Sequence, residues 1–144
     1  MYVNSNAVAV IDDDEISLLL IKRFLEQKIT QNVLPFSNGL EALNYFEKNA
    51  SQTTQLPAVI LLDITMPLMS GWQFLNELSK IEFADGYKPV ICIISAYVTI
   101  DFEKLRNYSF IKGYLTKPVI PKKLIAMIES VATNLKAANT VEVI

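Results

Sequence analysis

Five short runs of apolar residues, spread along a chain of 144, do most to narrow what this sequence can fold into. They cover residues 7–11, 33–36, 58–62, 90–94 and, more weakly, 113–115, and they are rich in valine and isoleucine. Within each run the apolar residues follow one another instead of alternating with polar ones. A strand with one wet face alternates, whereas a strand covered on both faces does not. The runs therefore predict parallel strands buried between two layers of helix.

Parallel neighbours need a long crossover, usually a helix, and the intervening segments have helical periodicity. Residues 15–27 place Ile16, Leu20 and Phe24 on one stripe, with Ile21 and Leu25 beside it. Residues 39–49 carry Leu43 and Phe46, and residues 71–81 carry Phe74, Leu75, Leu78 and Ile81. Asn38 with Glu41, and Ser70 with Gln73, stand at capping-box spacing ahead of these two helices. Residues 99–107 make a weaker helix. Residues 121–136 align Leu124, Ile128, Val131 and Leu135 behind Pro121, which suits a first turn. Segments 51–56 and 83–88 read as surface loops. A strand followed by a helix, five times over, predicts an α/β fold: a three-layer, doubly wound (βα)5 sandwich with right-handed crossovers. There is no internal linker or repeat, so residues 1–136 are expected to form one domain, with 137–144 as a C-terminal tail.

Composition bounds the chemistry. A net charge of −2 gives no general case for nucleic acid or an anionic membrane as partner. No apolar run approaches the ~20 residues that span a bilayer. The opening MYVNSNAVAV lacks the basic flank of a signal peptide, so a cytoplasmic location is expected. The one cysteine, Cys92, lies inside an apolar run and reads as a small buried hydrophobe. The chain contains no histidine, which excludes Ser-His-Asp catalysis and imidazole metal sites. Chemistry is left to carboxylates, hydroxyls and lysine, and carboxylates favour hard cations such as Mg²⁺.

Two runs end abruptly in charge. The first passes into Asp12, Asp13, Asp14 and Glu15; the third ends in Asp63, with Met66 and Pro67 just beyond. In an open parallel sheet, ligands bind beyond the carboxyl ends of the strands, where strand order reverses. With the flavodoxin-like order 2-1-3-4-5, the first and third strands flank that point, and Asp12, Asp13 and Asp63 converge. The fourth strand brings Ser95 to the same edge and the fifth brings Lys117, followed by Pro118. Two like charges ~4 Å apart repel by about 4 kcal/mol at an effective dielectric near 20. Without a cation one carboxyl should titrate upward. Carboxylates, Mg²⁺, a hydroxyl and a lysine suit phosphoryl transfer, with an aspartate able to serve as nucleophile. Asp14 and Glu15 read as first-turn residues of the helix that follows.

Together these residues resemble the receiver domain of two-component response regulators. The resemblance rests on Asp12 and Asp13, on Asp63-Ile-Thr-Met66-Pro67-Leu-Met-Ser-Gly71, on Ser95-Ala96 and on Lys117-Pro118, in family order and spacing. It implies that Asp63 accepts a phosphoryl group from a phosphohistidine on a sensor histidine kinase or histidine phosphotransfer protein. It implies that Asp13 ligates Mg²⁺ directly, Asp12 largely through water, with Asp63 and the backbone carbonyl of Thr65 completing the protein ligands. Lys117 would contact a phosphoryl oxygen, Ser95 would hydrogen-bond the attached group, and Pro118 would be cis. Ser95 and Tyr114 would form the switch, altering a face made by residues 99–107, the last strand and residues 121–136. Tyr97, Val98, Tyr114, Lys122 and Lys123 would there meet a downstream protein target. Such a protein is not an enzyme toward a separate substrate; it catalyses only its own phosphorylation and dephosphorylation.

Ser70 stands where the family often has an acid, and serine caps a helix equally well. Bulky Tyr97, two residues after Ser95, is expected to shield the acyl phosphate and slow its loss. Three other readings compete. A haloacid-dehalogenase-type phosphatase wants an acid where Thr65 stands. A dinucleotide-binding domain needs a glycine-rich turn where Asp12 to Glu15 stand. A phosphate-independent pseudo-receiver, a protein-binding module, is opposed by the filling of all five site positions.

Overall fold

The structure is a computed structural model that describes residues 6–96, 103, 105 and 107–131. Its strands are β1 (Val8–Ile11), β2 (Val33–Phe36), β3 (Val59–Asp63), β4 (Val90–Ser95) and β5 (Ile111–Thr116). Among the described residues the α-helices are α1 (Glu15–Lys28), α2 (Gly39–Lys48), α3 (Gly71–Leu78) and α4 (Pro121–Val131). All strand pairs are parallel and the order is β2-β1-β3-β4-β5. The doubly wound sheet expected from the apolar runs is therefore the observed one, and the weakest run extends into a six-residue β5.

Alternate residues of each central strand feed opposite layers, so every side chain in the runs is used. Ala9, Ile11, Ile60, Leu62, Ile91 and Ile93 pack with Phe46 of α2 and with Phe74 and Leu75 of α3. Val8, Val10, Val59, Leu61, Cys92 and Ile94 pack with Ile21 and Leu25 of α1 and with Leu124 and Ile128 of α4. Each fully buried aliphatic side chain contributes about 1.5–3 kcal/mol, so both faces stabilise the sheet. Pro35 cannot donate a ladder hydrogen bond, and it occurs in β2, an edge strand. Burial pushes the Cys92 thiol up to about 12, consistent with an inert core residue.

Several local expectations need correction. On α1 the buried residues are Ile21 and Leu25, while Ile16 and Leu20 of the predicted stripe are 71% and 43% exposed. The helix is rotated so that Ile21 and Leu25, with Leu18 partly buried, face the sheet. Helix α3 ends at Leu78, short of Ile81. The presumed surface loops 51–56 and 83–88 also anchor the core: Leu56 and Tyr87 are buried, and Phe83 packs on Phe46 and Tyr87. The Tyr87 hydroxyl donates to the Pro57 carbonyl at 2.6 Å, satisfying its polar end. The predicted helix over 99–107 falls mostly outside the described residues, with Glu103 and Leu105 helical. Tyr97, Val98, residues 132–136 and the tail 137–144 lie outside them as well.

Candidate functional site

β1 and β3 are adjacent and in register from Val8↔Val59 to Ile11↔Leu62. The residues that follow, Asp12 and Asp63, are thereby carried to one end of the sheet. Both are almost wholly buried, whereas Asp13 is exposed. Asp12, Asp13 and Asp63 can each offer one carboxylate oxygen, and these oxygens lie within 4.8 Å of one another.

Local hydrogen bonds hold the acids in place. The Asp14 amide donates to Asp12 Oδ1 at 2.9 Å, and the Thr65 amide donates to Asp63 Oδ1 at 3.0 Å. Asp14 turns the chain into α1, accepting from the amides of Ile16 and Ser17, and these bonds hold its pKa below the ordinary value. Ser70 and Gln73 form the reciprocal capping box that starts α3. Asn38 accepts from the Glu41 amide, but the Glu41 carboxylate takes the Ser37 hydroxyl, so that box is only half made.

β5 delivers the cation. Lys117 follows its last residue, and its amide donates to the Ser95 carbonyl at 2.7 Å. The Lys117–Pro118 peptide bond is cis, as expected. Lys117 Nζ lies 2.9 Å from Asp12 Oδ2 and 3.2 Å from Asp63 Oδ2. Burial alone would depress Lys117, but its hydrogen bond to Asp12 and the charges of Asp12 and Asp63 raise it overall. The same enclosure raises Asp63 to about 6: burial is the main cause, Lys117 opposes it, and the Asp12 charge adds to it.

Ser95 is buried at the end of β4, one step past Ile94, which pairs with Asp63. Thr65 is exposed two residues after Asp63. Tyr114 is half-buried on β5, paired with Ile93 and packed against the aromatic-rich layer, where it borders a cleft of about 200 Å³ shared with Pro118, Ile120 and Lys123. One residue has more weight than sequence reasoning gave it. A Cβ on Gly71 would stand 2.7 Å from the Asp63 carbonyl oxygen and 2.8 Å from Ile64 Cα. Its amide donates to the Ile64 carbonyl at 2.9 Å, so α3 begins hard against the peptide that carries the central acid. The signal was the lone glycine eight residues after Asp63.

The donor set fits a hard divalent cation. Three carboxylates converge, and Asp12 Oδ2 is buried and, despite its closeness to Lys117, lacks a hydrogen bond of good geometry. Oxygen ligands of this kind suit Mg²⁺.

Comparison with known proteins agrees with this arrangement. The family model described as "Response regulator receiver domain" matches residues 8–129. A "Hybrid signal transduction histidine kinase I" of Dictyostelium discoideum is 29% identical over 124 residues, covering 85% of this chain and 7% of the kinase. The chain spans about half the length of several other curated relatives it matches. A response regulator receiver domain protein from Clostridium thermocellum superposes with a TM-score of 0.71 at 27% identity, covering 92% of this chain and 98% of that one. The receiver domain of the Arabidopsis thaliana histidine kinase CKI1, complexed with Mg²⁺, shares the fold with a TM-score of 0.74 at 23% identity, covering 90% and 94%. Among the described residues, no helix is long and apolar enough to cross a membrane.

Proposed function

The chain belongs to the response regulator receiver domains of two-component phosphorelay signalling, and from that premise we propose that Asp63 is its phosphoacceptor, working with Mg²⁺. The observation that carries the proposal is the contact of Lys117 Nζ with both Asp12 and Asp63, in a pocket where three carboxylates share space.

Asp63 in its ionised form attacks phosphorus. The P–N bond of a phosphohistidine breaks, the Asp63 O–P bond forms, and the imidazole leaves with a proton. Asp12, Asp13 and Asp63, with the Thr65 carbonyl, would hold Mg²⁺, which neutralises charge as the phosphoryl group arrives. Lys117, on its fixed edge of the sheet, acts as a point charge toward a phosphoryl oxygen. The buried Ser95 hydroxyl donates to the attached group. Tyr114 responds on the β5 surface, so that phosphate supplies the energy difference between two states. The donor is a sensor histidine kinase or histidine phosphotransfer protein, and the output is contact with a downstream protein in the cytoplasm. The chain turns over no separate substrate.

Incubation with acetyl phosphate and Mg²⁺, followed by intact mass measurement, tests this reading. One phosphoryl adduct is expected, lost with EDTA and lost in Asp63→Asn. A protein that stays unmodified would favour the pseudo-receiver, a module that binds without phosphate.

A further inference from the structure

A cleft of about 350 Å³ opens at the end of the sheet opposite Asp63. Leu75 and Leu78 of α3, Ile91 at the start of β4, and the rings of Phe83, Tyr87 and Phe110 form its apolar lining. Ligands of open parallel sheets sit as a rule beyond the carboxyl ends of the strands. This cleft lies at the amino ends of β4 and β5, where that rule does not account for it.

Its floor belongs to the packed core. Leu75, Tyr87 and Ile91 are buried, the Tyr87 hydroxyl is held by the Pro57 carbonyl, and Phe83 meets the Tyr87 ring edge-on at 5.0 Å. Beside it the β4–β5 register slips by one residue: Ile91 pairs with Ile111 but Cys92 with Gly113, leaving Lys112 over. Such a bulge bends the strand that carries it. An apolar cavity of about 150 Å³ takes up benzene, and ligand pockets begin near about 300 Å³. The volume here suits a body of one or two rings.

The polar groups are few and stand at the exposed mouth: Ser79, Lys88 and Ser109. The Ser79 hydroxyl already donates to the Asn76 carbonyl at 2.6 Å. Lys22, Lys80 and Lys117 are each paired with a carboxylate, whereas Lys88 has no such partner among the described residues. An ammonium without a counter-ion, set at the mouth of an apolar cleft, complements a ligand with an apolar body and an anionic end. None of the large apolar side chains that remain exposed lines the cleft, so its mouth lacks the apolar surround of a protein-docking patch.

We propose that this cleft binds a small aromatic carboxylate, its ring lying among Phe83, Tyr87 and Phe110 and its acid group meeting Lys88. The site goes beyond the reading of Asp63 as phosphoacceptor and does not depend on it. Burial of the ring supplies most of the affinity, and Lys88 sets the preference for an acid.

The test is a titration of the full chain with indole-3-propionate, followed through the backbone amide signals in nitrogen-15 NMR spectra, with indole-3-propionamide as the uncharged control. The amides of Phe83, Lys88, Ser109 and Phe110 should shift together and saturate, with a dissociation constant on the order of 1 mM or tighter for a ligand of this size. The amide should bind about two- to fivefold more weakly, the range of a single exposed ion pair. Lys88→Gln changes an exposed side chain and should keep the parental thermal midpoint. It should lower the affinity for the acid to that for the amide and leave binding of the amide as it was. Shifts that do not saturate by about 10 mM overturn the proposal, as does equal affinity for acid and amide, or an affinity for the acid that Lys88→Gln leaves unchanged. Shifts centred on Asp63 and Lys117 would put the anion at the other end of the sheet and overturn it too. The same amides shifting with protein concentration alone would assign the cleft to a second copy of this chain instead.

Discussion

Gly71 approaches Asp63 so closely that a methyl group on its Cα would stand 2.7 Å from the Asp63 carbonyl oxygen. The start of α3 and the end of β3 are therefore set by one missing side chain. Gly71→Ala must push the two apart. Overpacking of this kind costs about 1–3 kcal/mol, which urea denaturation would measure. Because the shift falls on the peptide of Asp63, acetyl phosphate labelling should slow as well. A variant of parental stability and rate would show that α3 moves without disturbing the acid.

Lys117 separates two buried carboxylates, and its removal should be felt through both. Lys117→Met leaves Asp12 and Asp63 facing each other without a cation. Stripping one partner from a buried charged cluster costs several kcal/mol, but Asp63 can take up a proton and Lys117 keeps some access to solvent. A loss of roughly 2 kcal/mol at neutral pH is the discounted figure, part of it recovered in mild acid, where protonation removes the repulsion. Chemical denaturation at two pH values checks this; equal loss at both would mean that packing, not charge, dominates.

Asp63 gives the metal-free protein a pH dependence of definite sign. Burial raises its carboxyl to about 6. Between about 4, where the unfolded chain releases this proton, and 6, the folded state still holds it. Stability from this group therefore falls as pH rises through that window and levels off above it. Asp63→Asn carries no such proton, so in EDTA it should be more stable than the parent at neutral pH, by roughly 1–3 kcal/mol, with the difference vanishing toward about pH 4. Added Mg²⁺ should narrow the gap by stabilising the parent, by about 2.7 kcal/mol at a hundredfold excess over its dissociation constant. A gap independent of pH would place the effect elsewhere.

The sheet was legible because continuous Val/Ile runs have one economical use, a strand covered on both faces. The site followed from topology, since Asp12, Asp13, Asp63, Ser95 and Lys117 all stand at strand ends that the 2-1-3-4-5 order gathers. The upward titration of one carboxyl was expected from crowding; it falls on Asp63, but burial is its main cause and the charge of Asp12 a lesser one. The face of α1 was not legible: Ile16, Leu20 and Phe24 fit a helical stripe as well as Ile21 and Leu25 do, and only packing against β1 and α4 chooses between them. The burial of Leu56 and Tyr87 was hidden for a similar reason, because loop composition does not reveal which loop side chains turn inward. The positive φ of Leu68, 69°, leaves no trace in the sequence, which has neither glycine nor asparagine there.

The central claim is that phosphate is carried by one particular oxygen acid, and borohydride trapping followed by peptide mapping tests it most directly. An acyl phosphate on aspartate is reduced to an alcohol, so after treatment with acetyl phosphate and Mg²⁺ the Asp63 side chain should convert to homoserine, in a Mg²⁺-dependent manner and far less in Lys117→Met. Conversion at Asp12 or Asp13 instead, or a phosphoryl group that resists borohydride on a serine or threonine, would contradict the account.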